Sequence, residues 1–220
     1  MKIRNLAIIL FSLLVLNSCI VKSLHPFYVQ EAISFEEKFI GNWKDDKGAT
    51  WHVESFKAMF DKEFNSKNKP SKKDLAAFKK YKYNYYVEYT SNDKKATFMA
   101  TPFKVKDQLL LDFTPYIQDD TGLNSLLSSH LINAHSVVKF DIINNDNIDI
   151  KWLDENRIKD LFKNSKIRIK HETIGIQEDF LLTADSKELY EFLEKYLVSS
   201  VENKWKSTSD KKLSRYNVRS

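Results

Sequence analysis

The stretch that decides the fold is YKYNYYVEYTSNDKKATFMATPFKVKDQLLLDF, residues 81–113. From Tyr81 to Tyr89 the odd-numbered positions read Tyr, Tyr, Tyr, Val and Tyr, and more polar residues dominate the positions between them. Alternation with a period of two is typical of a half-buried strand. Short turn-forming segments interrupt the stretch twice. It therefore predicts an antiparallel meander of three strands, residues 81–89, 96–105 and 108–113.

The flanking sequence extends this meander in both directions. Upstream, FIGNWKDDKGATWHVE (39–54) places a glycine-containing turn between two short apolar runs, which predicts a hairpin. Downstream, further strands are predicted at residues 135–143, 148–152, 167–172 and 180–183. The lysine-rich residues 56–80 break the β pattern. Ser71 and Asp74 there are spaced like a helix start, so this segment is predicted to be a partly helical insertion.

Two more helices are predicted after the meander. Residues 154–164 carry Ile158 and Leu161 on one face. Residues 185–198 form the clearest helix, because Leu189 begins a run of apolar residues at the i, i+3, i+4, i+7 and i+8 spacing of one buried stripe. Asp185 and Glu188 resemble a capping box at its start. Beyond Trp205 the chain is rich in lysine and serine, and residues 206–220 are predicted to form a flexible tail.

The N-terminal sequence MKIRNLAIILFSLLVLNSC (1–19) has the features of an export signal. Lys2 and Arg4 precede an apolar run that is shorter than the ~20 residues of a membrane span. The following Leu-Asn-Ser-Cys resembles the bacterial lipobox, which implies removal of residues 1–18 and acylation of Cys19. Secretory cleavage before Val21 and an uncleaved anchor are the alternatives. Residues 19–38 are then expected to be a lipidated N-terminus and tether.

Lipidation would place the protein in the bacterial cell envelope, anchored to a membrane through Cys19, and the outer membrane is the expected location. Cys19 is the only cysteine, so the mature domain has no intramolecular disulfide and relies on its core. A formal net charge of +5 is spread among acidic residues, and an exported protein meets little nucleic acid, so no nucleic-acid partner is expected.

Several segments resemble a known group of proteins. SLHPFY (23–28), FIGNW, TWHVE, LLLDF and LLTADSKELYEFLEKY (181–196) are similar to lipoproteins of Bacteroidota-type bacteria, a group with no established activity. The resemblance implies an anchored, mostly β domain and transfers no catalytic residue. More distantly, Gly41-Asn42-Trp43 and the late helix resemble lipocalins, eight-stranded antiparallel barrels that hold small apolar ligands. That resemblance implies that Trp43 plugs the closed end of a barrel.

We therefore predict one α+β, mostly β domain over residues 39–205. Its predicted architecture is a strongly curved antiparallel sheet or lipocalin-like barrel, with a packed C-terminal helix and a helical insertion. The mature chain is long enough to bury a full core.

The polar residues do not form a recognisable catalytic or metal-binding motif. The sequence His171-Glu172 begins like HExxH but lacks the second histidine, and no GxSxG, P-loop or GxGxxG motif is present. The adjacent acids Asp119 and Asp120 are expected to be solvated. We predict no enzyme activity, no cofactor, no metal and no catalytic residue. The remaining histidines do not share a ligand-like spacing: His25, His52, His130 and His135.

Two functions are compatible with these features. Tyr83 and Tyr85 could line a site for a small apolar ligand, or they could be ordinary core residues, which is the commoner situation on a sheet. The first reading predicts a membrane-anchored binding protein. The alternative is a structural or interaction lipoprotein without a cavity, whose partner is an envelope protein. The basic segment RIKDLFKNSKIRIK (157–170) could contact anionic headgroups or simply be solvated.

Overall fold

The computed structural model describes residues 20–64, 68–116, 124, 126, 129–176, 178–205 and 209–216. The predicted signal peptide 1–18, the predicted lipid attachment site Cys19 and the acidic pair Asp119-Asp120 lie outside the described residues. The described strands are β1 Lys22–Ser23, β2 Gly41–Asp45, β3 Thr50–Ser55, β4 Tyr85–Ser91, β5 Lys94–Val105, β6 Gln108–Pro115, β7 His135–Ile142, β8 Asn147–Trp152, β9 His171–Ile174, β10 Asp179–Leu182 and β11 Lys211–Arg215. The helices are α1 Phe56–Glu63, α2 Lys72–Tyr81, α3 Glu155–Lys163 and α4 Ser186–Val198.

Eight of the strands form a closed antiparallel barrel. Its strands follow the order β6-β5-β4-β3-β2-β11-β8-β7, and pairing between β6 and β7 closes the ring. The predicted meander is confirmed in β4, β5 and β6, which pair through long antiparallel registers. The fold is therefore a lipocalin-like α+β barrel, as predicted. Its closed end is where β2 begins and β11 ends, and its open end carries the β2–β3 turn, the β4–β5 turn and the start of β7.

The predicted flexible tail 206–220 is wrong for its central part, because Lys211–Arg215 is strand β11. This strand pairs with β2 on one side and β8 on the other, so it supplies the last wall of the barrel. Only Leu213 of its five residues is buried. The strand is held mainly by main-chain hydrogen bonds to β2 and β8. Such bonds require no hydrophobic pattern in the sequence.

A second apolar core lies outside the barrel. Residues of β5, β6 and β7 that point outward contact α3, α4, β10 and the side chains of Val21 and Phe27 there. Helix α4 contributes Leu189, Leu193 and Tyr196, which confirms the predicted helix packed on the sheet. The strand predicted at 180–183 is confirmed as β10, whereas the strand predicted at 167–172 overlaps β9 only at residues 171–172, because residues 167–170 are not in a strand. Strands β9 and β10 extend the sheet beyond β1 rather than closing the barrel.

The insertion between β3 and β4 is helical, as predicted. Ser71 and Asp74 form a reciprocal capping box at the start of α2. Aromatic contacts join the two helices, with the Phe60 and Phe78 ring centroids 4.5 Å apart. Because α2 continues to Tyr81, strand β4 begins only at Tyr85, and the prediction of a strand from residue 81 is wrong by four positions.

The segment 20–38 is packed against the domain and is not a tether. Val21, Ser23 and Phe27 are fully buried. The Phe27 amide donates to the Asp112 carboxylate at 2.8 Å, and the Leu24 amide donates to the Leu182 carbonyl at 3.0 Å. Alternating residues of this segment reach the two cores, since Ile20 contacts the barrel interior and Val21 the outer core.

Candidate functional site

The closed end of the barrel is filled by aromatic side chains. Residues 35–40 cross this end, and Phe35 and Phe39 pack on Tyr85 with ring centroids 4.9 and 5.1 Å away. The Tyr85 hydroxyl donates to the Glu36 carbonyl at 2.6 Å and accepts from the Glu36 amide at 2.8 Å. Burial raises the pKa of the Tyr85 phenol well above its ordinary value. Tyr85 is therefore a neutral, satisfied core residue.

Trp43 completes this seal. Its ring is fully buried, and its indole N–H donates to the Phe39 carbonyl at 2.8 Å. The Arg215 guanidinium lies 4.1 Å from the Trp43 ring centroid and donates to the carbonyls of Lys38 at 2.9 Å and Ile40 at 3.0 Å. The last strand thus ties down the segment that crosses the closed end. This geometry matches the plug position that the lipocalin resemblance implied for Trp43.

Gly41 is required at the same place for two reasons. Its φ is +130°, a backbone conformation that residues with a side chain rarely adopt. A Cβ at this position would also collide with the Arg215 guanidinium. The Gly41-Asn42-Trp43 sequence therefore reflects the construction of the closed end.

The predicted ligand residues Tyr83 and Tyr85 line neither of the two cavities described below. Tyr83 precedes β4 and its exposed fraction is 49%. Tyr85 points into the barrel, but it lies in the filled closed end. Of the two interpretations of the tyrosine-rich strand, ordinary core packing describes Tyr85, whereas Tyr83 is an exposed residue that precedes the strand.

A cavity of about 330 Å³ lies instead at the open end of the barrel. Five of its ten lining residues are aromatic, and their rings contact each other in edge-to-face or tilted pairs. The Trp51 and Tyr89 centroids are 5.1 Å apart, and the Phe98 and Phe113 centroids are 5.9 Å apart. We call this the open-end cavity; it is lined by Ile20, Lys47, Trp51, Tyr89, Phe98, Phe113, Ser136, Trp152, Ser209 and Lys211.

The open-end cavity also has a charged side, built around Asp45. The Asp45 carboxylate accepts from the Trp51 indole at 3.2 Å and from the Ala49 amide at 2.9 Å, and it lies 3.5 Å from the Lys211 ammonium. Burial alone would raise the pKa of Asp45, but these bonds and the Lys211 charge hold it below its ordinary value. Asp45 is therefore ionised and fixes the Lys211 ammonium at the cavity wall.

The cavity has the chemistry of a binding site. Its volume falls at the lower end of the range for ligand pockets, and its wall combines aromatic faces with few polar groups. An apolar molecule would contact the rings, and an acceptor group on it would meet Lys211. Among the described residues, no group of three or more His, Cys, Asp or Glu side chains is arranged to hold a metal ion.

The sequence analysis missed this site because it selected Tyr83 and Tyr85 as ligand residues and did not select Tyr89, which lies further along the same strand. Tyr89 lies on the same face of β4 as Tyr85, so the period-two pattern did identify it as inward-facing. The pattern does not contain the information that residues 35–40 cover one end of that face and leave the other open. Lys211 lies on β11, which the sequence analysis assigned to the tail.

A second depression lies outside the barrel, between α3, α4 and residues 165–171. Its volume is about 940 Å³, and Phe162, Phe192 and Tyr196 are among its lining residues. Lysine and arginine side chains of the basic segment 157–170 lie at its border, and Lys170 pairs with Glu188 at 3.2 Å. Nothing among the described residues shows what would cover this cleft.

No family model matches the sequence, and the chain is not significantly similar to any curated protein or solved structure. The described helices include none with the length and apolar character needed to cross a membrane. The barrel itself defines the class: a lipocalin-like fold with one sealed end and one end that holds a cavity.

Proposed function

We propose that this protein is a membrane-anchored lipoprotein that binds a small apolar ligand in the open-end cavity. The observation that carries the binding function is the cavity of about 330 Å³ at the open end of the barrel, which has five aromatic side chains in its wall. The cavity is open to solvent at one side, which gives a ligand a route of entry, and its concave aromatic wall is typical of small-molecule sites. The proposal assigns no catalytic residue, cofactor or metal.

The wall of the cavity suggests which ligands it would accept. Trp51, Phe98 and Trp152 offer flat apolar surfaces, which favour hydrocarbon or aromatic bodies. Lys47 and Lys211 are the charged residues of the wall, and Lys211, which Asp45 fixes there, favours a ligand with a carboxylate or another acceptor at one end. The expected ligand is therefore an amphiphile with an apolar body and one polar end.

The anchoring part of the proposal rests on the order of signals in residues 1–19. A positive start, a short apolar run, a small residue and a cysteine follow one another as lipidation requires. Two or three acyl chains on Cys19 would give a stable membrane anchor. The proposed location is the bacterial cell envelope, with the outer membrane as the expected site.

Native mass spectrometry of gently purified protein tests ligand binding. Ser136 points into the cavity from β7, and Ser136→Leu would fill part of it without removing an apolar contact. Thr90→Leu is the matched control. Thr90 follows the inward-facing Tyr89 in β4, so its side chain points to the outer face of the barrel and away from the cavity. We expect a bound small molecule in the wild type and in Thr90→Leu, and its loss in Ser136→Leu.

Equal retention in both variants would contradict the site. An empty wild-type protein that instead captures an envelope protein through the cleft between α3 and α4 would favour the alternative function, an interaction lipoprotein. Mass spectrometry of the N-terminal peptide tests the anchor separately: diacylglycerol and acyl masses on Cys19 are expected. An unmodified Cys19 in membrane-extracted protein would contradict it.

A further inference from the structure

The N-terminus of the described chain lies in the wall of the open-end cavity. Ile20 lines the cavity and forms an antiparallel bridge with Asp154, just beyond the end of β8. The next residues continue as β1, which pairs with the first two residues of β7 at the same end of the barrel. The chain therefore enters the fold at the mouth of the cavity.

The chain is packed tightly against the domain from the point where it enters the fold. Val21 and Ser23 are fully buried, and between them Lys22 pairs with Asp179 at 2.8 Å. One peptide bond joins Ile20 to Cys19, and it spans about 3.8 Å. A lipid on Cys19 would therefore be attached directly at the rim of the cavity. A tether of the predicted length would have let the domain rotate freely over the membrane.

The surface around this rim is suited to a lipid bilayer. Leu131 and Ile132 lie in the connection that enters β7 at the open end, and their exposed fractions are 44% and 67%. The two hairpins at this end carry the exposed lysines Lys47 and Lys94, each next to an exposed aspartate, Asp46 or Asp93. Exposed apolar side chains at the rim favour contact with the interface of a membrane.

We infer that the open end of the barrel rests on the membrane that holds the anchor, with Leu131 and Ile132 in the interface and the cavity mouth facing the lipid. In this orientation a ligand passes between the bilayer and the cavity without crossing water. The ligand class is then an amphiphile of the membrane itself. The inference rests on the lipidation of Cys19 in the proposed function and deepens it.

Fluorescent labels at the two ends of the barrel test the orientation. Lipidation blocks the only native thiol, so Ile132→Cys and Asn145→Cys each provide one labelling site on the full lipidated chain. Asn145 is exposed in the β7–β8 turn at the closed end and serves as the matched position. The proteins are placed in phosphatidylethanolamine–phosphatidylglycerol vesicles that contain nitroxide-labelled lipids.

We expect the fluorescence emission of the label at position 132 to shift to shorter wavelength and to be quenched by the nitroxide lipids. The label at position 145 should show neither change. Equal quenching at both positions, or quenching at 145 alone, would overturn the inference. Insertion of ten Gly and Ser residues between Cys19 and Ile20 adds roughly 17 Å of flexible reach and should reduce the difference. Mass spectrometry of Cys19 separates the outcomes: an unmodified cysteine overturns the proposed anchor, whereas an acylated cysteine with equal quenching overturns only the orientation.

Discussion

Tyr85 and Tyr89 lie four residues apart on the same inward face of β4, yet they meet different surroundings. Tyr85 is enclosed by Phe35 and Phe39 and bonded to the Glu36 backbone. Tyr89 contacts Trp51 on one side and the open-end cavity on the other. The difference arises from the segment 35–40, which covers only one end of the barrel. A strand with one repeating pattern thus supplies both a filled core and a candidate site.

The largest expected effect distinguishes packing at the two ends. Trp43→Ala removes a fully buried ring from the closed end and should lower the free energy of unfolding by about 3–5 kcal/mol. Tyr89→Ala removes a half-buried ring that already borders a cavity, and should cost about 1 kcal/mol. Urea unfolding followed by far-ultraviolet circular dichroism, which reports on the backbone, measures the free energy of unfolding of both variants. Similar losses in the two variants would mean that the ends are equally well packed.

A smaller effect is expected from the side chain that ties down the closed end. Arg215→Ala leaves the Lys38 and Ile40 carbonyls without this donor and removes the contact with Trp43. We expect a loss of about 1–2 kcal/mol in the free energy of unfolding, because Arg215 is partly exposed.

Arg215→Lys is the control for charge. A lysine keeps the positive charge but lacks the planar fork that reaches two carbonyls at once. Recovery of full stability in Arg215→Lys would show that the charge alone matters, and would contradict the role given to the two hydrogen bonds.

The smallest expected effect concerns pH and the wall next to the open end. There the Asp112 carboxylate accepts from the Phe27 amide and lies 2.6 Å from His135 Nδ1. Complete burial raises the pKa of Asp112 above its ordinary 3.8, despite its bonds with His135. Just above that value the folded protein keeps a proton that the unfolded chain has released. The stability contributed by Asp112 is therefore lost as the pH rises through its folded pKa.

Asp112→Asn removes this titration and can keep a bond to the Phe27 amide. The free energy of unfolding of the wild type relative to Asp112→Asn should fall as the pH rises from about 4 towards 7. Urea unfolding at a series of pH values measures the difference. A relative gain in wild-type stability over this range would mean that the His135 partner outweighs burial. The closed end, whose bonds to Tyr85 and Trp43 involve neutral groups, should show no comparable trend.

The sequence predicted those parts of the fold that have a local cause. Period-two alternation identified the meander, and capping boxes identified the starts of α2 and α4. Strand β11 has a single buried residue, Leu213, so its place in the barrel depends on long-range pairing that leaves no local pattern. The packing of residues 20–38 likewise depends on distant partners such as Asp112 and Leu182.

The candidate site was only half predictable for the same reason. The tyrosine-rich strand correctly indicated inward-facing aromatic residues, and Tyr89 is one of them. Which part of that face is filled depends on Phe39 and its neighbours, which lie far from β4 in the sequence but next to Tyr85 in the fold. A cavity is the space that such partners leave, and no local pattern encodes it.

The pairing of β2 with β11 has a consequence for how the protein is made. Strand β2 cannot complete its wall of the barrel until β11, about 170 residues later in the sequence, has been synthesised and can pair with it. Until then β2 and β8 would both present unpaired edges, which are sites for aggregation. A chain with this connectivity gains from staying unfolded, or bound to a chaperone, until β11 is available to pair. Pairing of β11 with β2 and β8 is therefore the step that completes the barrel, and it cannot precede the synthesis of β11.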